Sequence, residues 1–491
     1  MISKFIKEQK RYTRENLSDL LEASDENLIR IIKRLKEYGV LKAVKNASKQ
    51  LEMSDLLDED IEIVDDEDKG KKHLYVFTFV GVIIIEGRVL KCYPKYIFKT
   101  NEPRKELKQI TKVLQKYDSK EQIIKLFSDG KNSTFNRLAA MVYLLNDYYE
   151  YGLYSNDIQV IETNGTGEIM WDRTVDNTFP ILQNDRPYYL ELKTRRRTSN
   201  DFDFFRRLHE VLLTECSKEL IESDLIDILD LSEVTLTEDR LEDLGEDDYL
   251  IYRLQNEIAI QFNTRKQNLL KVFEAFLSHR GTLVDIDGLS IYGTNSFNLV
   301  WEKVCASVLN NKLDTTLNDL EQEFGFEIKG IYAQRKDNTL KELIEKPRWT
   351  EYNEGEVNAT AEANDTLIPD LISIRKYEGQ LEFDIFDAKY YVAKLLPNMV
   401  LGQPGIDSVI KQYMYQLAYV NFLQVHGITK VKNCFLMPTE EGSTQSQVDV
   451  KLDMLNGLNL EKIQVRKIPA IKVYSLYLNS GHIDINDLNL Q

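Results

Sequence analysis

The run Ile368-Pro369-Asp370-Leu371-Ile372-Ser373-Ile374, a turn at Tyr377-Glu378-Gly379, and then Glu382-Phe383-Asp384-Ile385-Phe386-Asp387-Ala388-Lys389 decides how this chain is read. Apolar residues on either side of a Gly-containing turn predict two paired strands. Side chains two apart on a strand share a face, so Asp387 and Lys389 project together, with Phe383 and Ile385 further back on that face. Asp370 enters from the neighbouring strand. Two carboxylates a few ångströms apart repel unless a hard divalent cation sits between them, and Mg²⁺ takes oxygen ligands while keeping several waters. Such a cation polarises a phosphodiester and helps ionise the attacking water, and Lys389 would orient that water or stabilise phosphorane-like charge. The expectation is a catalytic set of Asp370, Asp387 and Lys389, with the two aspartates as Mg²⁺ ligands.

That pattern resembles the PD-(D/E)xK nuclease arrangement, but the tripeptide alone is not specific. Asp118-Ser119-Lys120 and Asp129-Gly130-Lys131 also match it and sit in polar, turn-like stretches that read as solvated loops. Glu191-Leu192-Lys193 is the serious competitor, strand-like, with Asp172 and Asp185 upstream and Arg195 to Arg197 close by. No Pro-Asp leads an apolar strand before it, which favours a structural strand edge.

Two flanking features support the Asp387 reading. Residues 297 to 305 read as a helix with Phe297, Trp301, Val304 and Val308 on its apolar face, and Glu302 could reach the metal site from the edge of that face or be a surface glutamate. Downstream, Asp407 to Gln424 reads as a helix in which Lys411, Tyr415 and Tyr419 are spaced by four, as are Gln412 and Gln416. Lys411, Gln412, Gln416 and Tyr419 are the candidate DNA-phosphate contacts, with ordinary helix surface as the alternative. Asn433 to Met437 supplies a closing apolar strand before Pro438.

The 491 residues, 43% of them hydrophobic, suffice for about three domains. With 63 Lys and Arg against 80 Asp and Glu, the net charge of -17 argues against nucleic-acid binding over the whole surface, so any DNA contact must be local. Four dispersed cysteines exclude a disulfide scaffold and a cysteine-rich zinc module. No apolar run approaches a membrane span and residues 1 to 16 are too polar for a signal peptide, which makes the cytoplasm the expected compartment. There is no GxxxxGK[ST] loop, so a nucleotide motor, if needed, comes from a partner.

The first forty residues predict short helices, the last with an apolar stripe of Leu28, Ile31, Ile32 and Leu35 and with Arg30, Lys33, Arg34 and Lys36 on its other faces. Strands at 40 to 44 and 74 to 78 would complete a winged-helix-like unit. The insertion from Glu52 to Asp68 holds ten acids in seventeen positions and opposes a DNA-reading role, leaving DNA reader and partner-binding module equally open. A β-hairpin turning at Glu86-Gly87 follows, then helices over 105 to 127 and 134 to 151, a β-like stretch over 168 to 193, and long helices over 204 to 229 and 254 to 279 flanking an acidic loop at 238 to 248. The fold class is thus α/β, or α+β, in several domains: 1–78 winged-helix-like, 79–290 hairpin and helices, and 291–491 a nuclease core with a mixed sheet flanked by helices.

In their order, residues 79–96 (FVGVIIIEGRVLKCYPKY), 167–174 (GEIMWDRT), 297–305 (FNLVWEKVC), 369–374 (PDLISI), 383–391 (FDIFDAKYY) and 404–419 (PGIDSVIKQYMYQLAY) resemble the LlaJI-type restriction endonucleases, which are similar to the McrC nuclease subunit. The resemblance implies a type II restriction endonuclease that cuts duplex DNA with Mg²⁺, beside a McrB-like AAA+ GTPase and a cytosine methyltransferase protecting host DNA. It carries the catalytic roles to Asp370, Asp387 and Lys389, the helix carboxylate to Glu302, and the polar helix to Gln412 and Gln416. It also implies that the β-rich hairpin region contacts the motor. Two other readings remain: a repair-type PD-(D/E)xK nuclease, and a non-catalytic winged-helix scaffold, against which the intact Asp370, Asp387 and Lys389 set speaks.

Overall fold

The computed structural model describes residues 2–44, 73–118, 135–199, 203–279, 281, 283, 289–353, 355–440 and 448–490. They fall into two compact units, Met1–Gln122 with Ile291–Gln491, and Ile123–Ser290. Elements are numbered here within the first unit.

In the front part, β1 (Ile2–Lys7) and β2 (Arg11–Tyr12) precede α1 (Arg14–Leu21), α2 (Asp25–Glu37), β3 (Leu41–Val44) and β4 (Leu74–Phe77). Thr13 caps α1 in a reciprocal pair with Asn16. The stripe of Leu28, Ile31, Ile32 and Leu35 is buried as its spacing predicts. β2, β4 and β3 form an antiparallel sheet with Leu41 opposite Phe77, which completes the winged-helix-like unit. The acidic insertion at 52–68 lies outside the described residues.

The hairpin of β5 (Val80–Ile85) and β6 (Arg88–Tyr93) turns through Glu86 and Gly87, both at positive φ (46° and 72°), a conformation that matches strand twist. With β1 and β7 (Leu289–Thr294) it forms a four-stranded sheet in the order β1-β6-β5-β7. Gly81 and Gly293 are required where β5 meets β7, since a Cβ on Gly81 would sit 2.2 Å from the Tyr292 carbonyl oxygen and one on Gly293 2.2 Å from that of Val80. Glu86 also receives Arg30 at 2.7 Å and Arg34 at 3.4 Å, so two cations of the α2 surface are spent on docking the helix to the hairpin turn. α3 (Arg104–Asp118) follows.

The rest of this unit comprises α4 (Phe297–Val308), α5 (Leu317–Phe324), a ribbon of β8 (Arg348–Asn353) and β9 (Glu356–Glu362), β10 (Leu371–Tyr377), β11 (Gln380–Ala388), a small hairpin of β12 (Lys394–Leu396) and β13 (Met399–Leu401), α6 (Ile406–His426), β14 (Lys430–Thr439), β15 (Val448–Val450), β16 (Ile463–Pro469) and α7 (Ala470–Leu478). Its main sheet runs β10-β11-β14-β16-β15, mixed, with β11, β14 and β16 parallel and both edge strands antiparallel. The segment expected to close the sheet, around Asn433–Met437, is instead its central strand. Phe383 and Ile385 of β11 pack with Tyr415, Tyr419, Phe422 and Leu423 of α6, while α4 and α7 pack together and α4 also meets β11. The winged-helix-like unit, the hairpin and the C-terminal third therefore share one compact unit rather than forming the separate segments 1–78, 79–290 and 291–491, because β1 pairs with β6 and β5 with β7.

The second unit is mainly helical, with helices Arg137–Tyr151, Phe204–Glu222, Asp247–Ile260 and Thr264–Ser278 around a core that includes Leu208, Leu212, Leu269 and Phe273. The single long helix expected over 254–279 is broken at 261–263, where the Asn263 side chain accepts the Lys266 N–H and caps a new helix. The expected loop at 238–248 contains the helical turn Leu241–Leu244, anchored by buried Leu241. Among the described residues no helix is long and apolar enough to cross a membrane.

Candidate functional site

At the C-terminal end of β11 the backbone ladder sets three side chains side by side. Asp370, immediately before β10, is pinned to β11 because its Oδ2 accepts the Ala388 N–H at 2.8 Å. Asp387, buried, follows one residue back on the strand, and its Oδ1 lies 2.9 Å from Lys389 Nζ in an ion pair. Lys389 leaves the sheet with its own N–H on the Leu436 carbonyl of β14 at 2.9 Å. That same carbonyl accepts Trp301 Nε1–H at 3.1 Å, so α4 is hung from the strand that positions Lys389, and Glu302 is the next residue on α4. The structure thus joins Asp370, Asp387 and Lys389 by direct bonds, with Glu302 near enough for its charge to act on Asp370 and Lys389.

Their electrostatics follow from burial and crowding. Burial, then a hydrogen bond to Asp387 and the charges of Asp387 and Glu302, push the Asp370 carboxyl up to about 9, against the pull of Lys389. That shift favours the protonated form of Asp370. Burial raises Glu302 as well, with Lys389 opposing and Asp387 adding. For Lys389 burial works to lower the pKa, but Asp387, Asp370 and Glu302 outweigh it and the net shift is upward, so the amine stays an ammonium. Tyr415 of α6, buried in the apolar cluster against β11, is raised by burial and then by the charges of Asp387, Asp370 and Glu302. The sequence offered only its i+4 relation to Lys411 and Tyr419 as a sign.

The polar side of α6 is not a DNA-facing surface, contrary to the expectation for Gln412, Gln416 and Tyr419. All three are buried. Gln412 Nε2 donates to the Ile385 carbonyl at 3.0 Å, Gln416 Oε1 accepts from Asn433 Nδ2 at 2.7 Å and the Glu461 N–H at 3.0 Å, and Tyr419 donates to the Leu340 carbonyl at 3.0 Å. Polar residues spaced by four here fall on the stripe that faces the sheet, where each must satisfy a buried partner. Only Lys411 of that set is exposed.

Among the described residues, the competing Glu191 motif does not assemble a comparable group. Glu191 is exposed, between a surface hairpin (Ile181–Gln183 with Arg186–Tyr188) and the strand Lys193–Ser199, and Lys193 Nζ donates to Thr163 Oγ1 at 2.9 Å. Asp185 is a turn residue of that hairpin at φ 58°. Lys120 and the Asp129–Lys131 motif lie outside the described residues.

A second acidic pair occupies the other end of β11. Arg375 reaches Glu382 at 2.6 Å and Asp384 at 3.0 Å, and Lys430 and Lys432 approach Glu382 at 3.5 and 3.7 Å. Three cations there face two carboxylates, whereas at the Asp387 end one ammonium faces three. Burial lifts Asp384 to about 6, with Arg375 and Lys432 pulling it back.

Among the described residues no three His, Cys, Asp or Glu side chains converge as a ready metal cage. Magnesium does not need one, being held by one or two carboxylates and otherwise by water. Asp370 and Asp387, joined by a hydrogen bond, are the two carboxylates that could hold it. The donor set is all oxygen and carries excess negative charge, which fits a hard divalent cation.

A family model described as LlaJI restriction endonuclease matches residues 79–341 and 327–479. A curated relative, "Type II restriction enzyme BsuMI component YdjA" of Bacillus subtilis (strain 168), is 26% identical over 420 residues, covering 84% of this chain and 83% of its own length. Among solved structures, the McrB AAA+ hexamer assembly with bound McrC from Thermococcus gammatolerans is similar at 11% identity and a TM-score of 0.35, over 97% of this chain and 99% of that one. The McrBC complex of the same organism is similar at 13% identity and a TM-score of 0.25, over 61% and 85%. Scores of that size do not establish a shared fold.

Proposed function

The chain belongs to the LlaJI restriction endonuclease family, and from that membership we propose that it is the Mg²⁺-dependent nuclease subunit of a restriction-modification system. It hydrolyses phosphodiester bonds of unmodified double-stranded DNA at specific sites, as a type II enzyme does. The observation that supports this most is the charge imbalance at the end of β11, three carboxyl groups to one ammonium, at the residues to which the family resemblance carries the catalytic roles.

Asp370 and Asp387 would hold magnesium, Asp370 giving up its proton to do so. Bound there, the ion supplies Lewis-acid polarisation of the scissile phosphate and acidifies the attacking water. Lys389, kept protonated by its acidic neighbours, is suited to donate a hydrogen bond to that water or to the phosphate oxygens and to offset developing charge, rather than to act as a base. Glu302, with a carboxyl raised by burial, stands where it can accept a hydrogen bond or a proton from water. Of the DNA contacts expected on α6, Lys411 is retained for phosphate.

Partners complete the proposal. The sequence holds no phosphate-binding loop of its own, and the curated relative is named as one component of its enzyme. Both support a subunit that works beside a McrB-like AAA+ GTPase, with a cytosine methyltransferase protecting host DNA.

The test is cleavage of covalently closed plasmid in Mg²⁺, with and without the neighbouring gene products and GTP. Linear or nicked product that disappears in Asp387→Ala and in methylated plasmid supports the reading. Product only from DNA with ends would move the chain to repair chemistry, and undiminished cutting by Asp387→Ala would remove the assignment altogether.

A further inference from the structure

The residue after Lys389 points away from the site into a different part of the molecule. Tyr390 is buried, with its ring edge-on to Tyr96 at 6.2 Å and against Phe297 at 5.3 Å, and its hydroxyl donates to Glu8 Oε2 at 2.5 Å. Glu8 is itself buried and stands 382 positions away in sequence. Its Oε2 also accepts the Lys95 N–H at 3.2 Å, and Lys95 Nζ lies over the Tyr390 ring at 4.8 Å.

Glu8 occupies the joint between two sheets. β1 ends at Lys7 in the four-stranded sheet and β2 begins at Arg11 in the winged-helix-like sheet. The Glu8 N–H donates to the Tyr93 carbonyl of β6, and the Gln9 N–H to the Phe77 carbonyl of β4, each at 2.9 Å. A displacement of either sheet therefore moves the Glu8 carboxylate. On the other side, Lys389 is bracketed: its N–H is on Leu436 of β14, and its carbonyl accepts the Tyr391 N–H at 2.9 Å. These two bonds hold the Lys389 backbone, and the adjoining Tyr390 ring is held by Tyr96, Phe297 and Glu8.

We propose that Glu8 is a positioning residue for Lys389, acting through the Tyr390 hydroxyl, so that the seat of the N-terminal sheets sets the aim of the catalytic ammonium. This rests on the reading of Lys389 as catalytic for its consequence in cleavage, but the mechanical link is a property of the chain alone. A buried carboxylate is costly unless its hydrogen bonds are made, and here they are made to the hairpin and to the residue adjoining the site. Misplacement of a reacting group by about 1 Å costs roughly a hundredfold in rate, so a modest tilt of Lys389 has a measurable effect.

The experiment uses the full chain, reductively methylated with ¹³C-formaldehyde, with the dimethyl-Lys389 resonance identified by its loss in Lys389→Arg. Tyr390→Phe, which removes one oxygen, and Glu8→Leu should each shift or broaden that resonance, whereas Glu8→Gln, which retains an acceptor, should leave it near its wild-type position. In plasmid cleavage, Tyr390→Phe and Glu8→Leu should lower kcat about tenfold or more with KM for DNA within about twofold, and Glu8→Gln should stay within about threefold of wild type. An unmoved Lys389 resonance in both Tyr390→Phe and Glu8→Leu overturns the proposal, whatever the cleavage result. If the resonance moves while wild type itself cuts no DNA under any condition, the positioning link stands and the nuclease reading fails.

Discussion

One strand carries two acidic clusters of opposite design. At the start of β11, Glu382 and Asp384 are buried among Arg375, Lys430 and Lys432, so the charges close on themselves. At its end, Asp387 and Asp370 are joined by Glu302 and face Lys389 alone. Burial raises a carboxyl in both, so desolvation does not distinguish a structural network from a candidate site. The sign of the leftover charge does: cations outnumber carboxylates in the first group, and carboxyl groups outnumber the one ammonium in the second.

The comparison breaks most sharply on cleavage. Asp387→Ala and Lys389→Ala should each lower plasmid cutting by at least about a thousandfold with thermal stability little changed, whereas Asp384→Asn should keep cutting within about an order of magnitude. Equal losses at both ends of the strand would erase the distinction. For stability the order reverses. Asp384→Ala strips Arg375 of one of its two buried partners and should cost about 3 kcal/mol in denaturant unfolding, more than Asp387→Ala, which relieves repulsion.

A weaker but cleaner contrast is the pH dependence of the metal-free chain. Asp370 is held near 9 when folded against an ordinary 3.8. The folded state keeps a proton that the unfolded chain releases, so this contribution to stability is fully present below about pH 4 and is lost as pH climbs toward 9. In EDTA, wild type should lose Tm relative to Asp370→Asn across that window, and Mg²⁺ should narrow the gap at the alkaline end. Parallel curves would mean that Asp370 keeps no extra proton in the folded state. The smallest effects belong to α6: Tyr419→Phe should cost about 1 kcal/mol of stability with DNA affinity unchanged, and Lys411→Ala should reduce the salt slope of DNA binding by about one phosphate contact.

The difference between those two α6 residues also marks where sequence reading stops. Strand alternation and the turn at Glu378-Gly379 put Asp387 and Lys389 on one face without any coordinates, because a period of two is local. The stripe of α2 was equally legible. On α6 the i+4 spacing of Lys411, Gln412, Gln416 and Tyr419 was visible, but not which side of the helix met the sheet, since tyrosine and glutamine suit either environment. The ion pairs of Glu86 with Arg30 and Arg34 and the bond of Glu8 with Tyr390 join segments far apart in sequence, and no pattern within either segment announces them. The break at 261–263 was missed because its cap is one asparagine inside an otherwise continuous helical pattern.

The central claim, that unbalanced carboxylates at the end of β11 hold a divalent cation, is tested most directly by calorimetric titration of Mg²⁺ into the full chain with bound DNA at pH 8, in wild type and Asp387→Ala. Wild type should bind Mg²⁺ with release of a proton, and the variant should lose that binding. Identical binding in both proteins, or none in wild type, would contradict it.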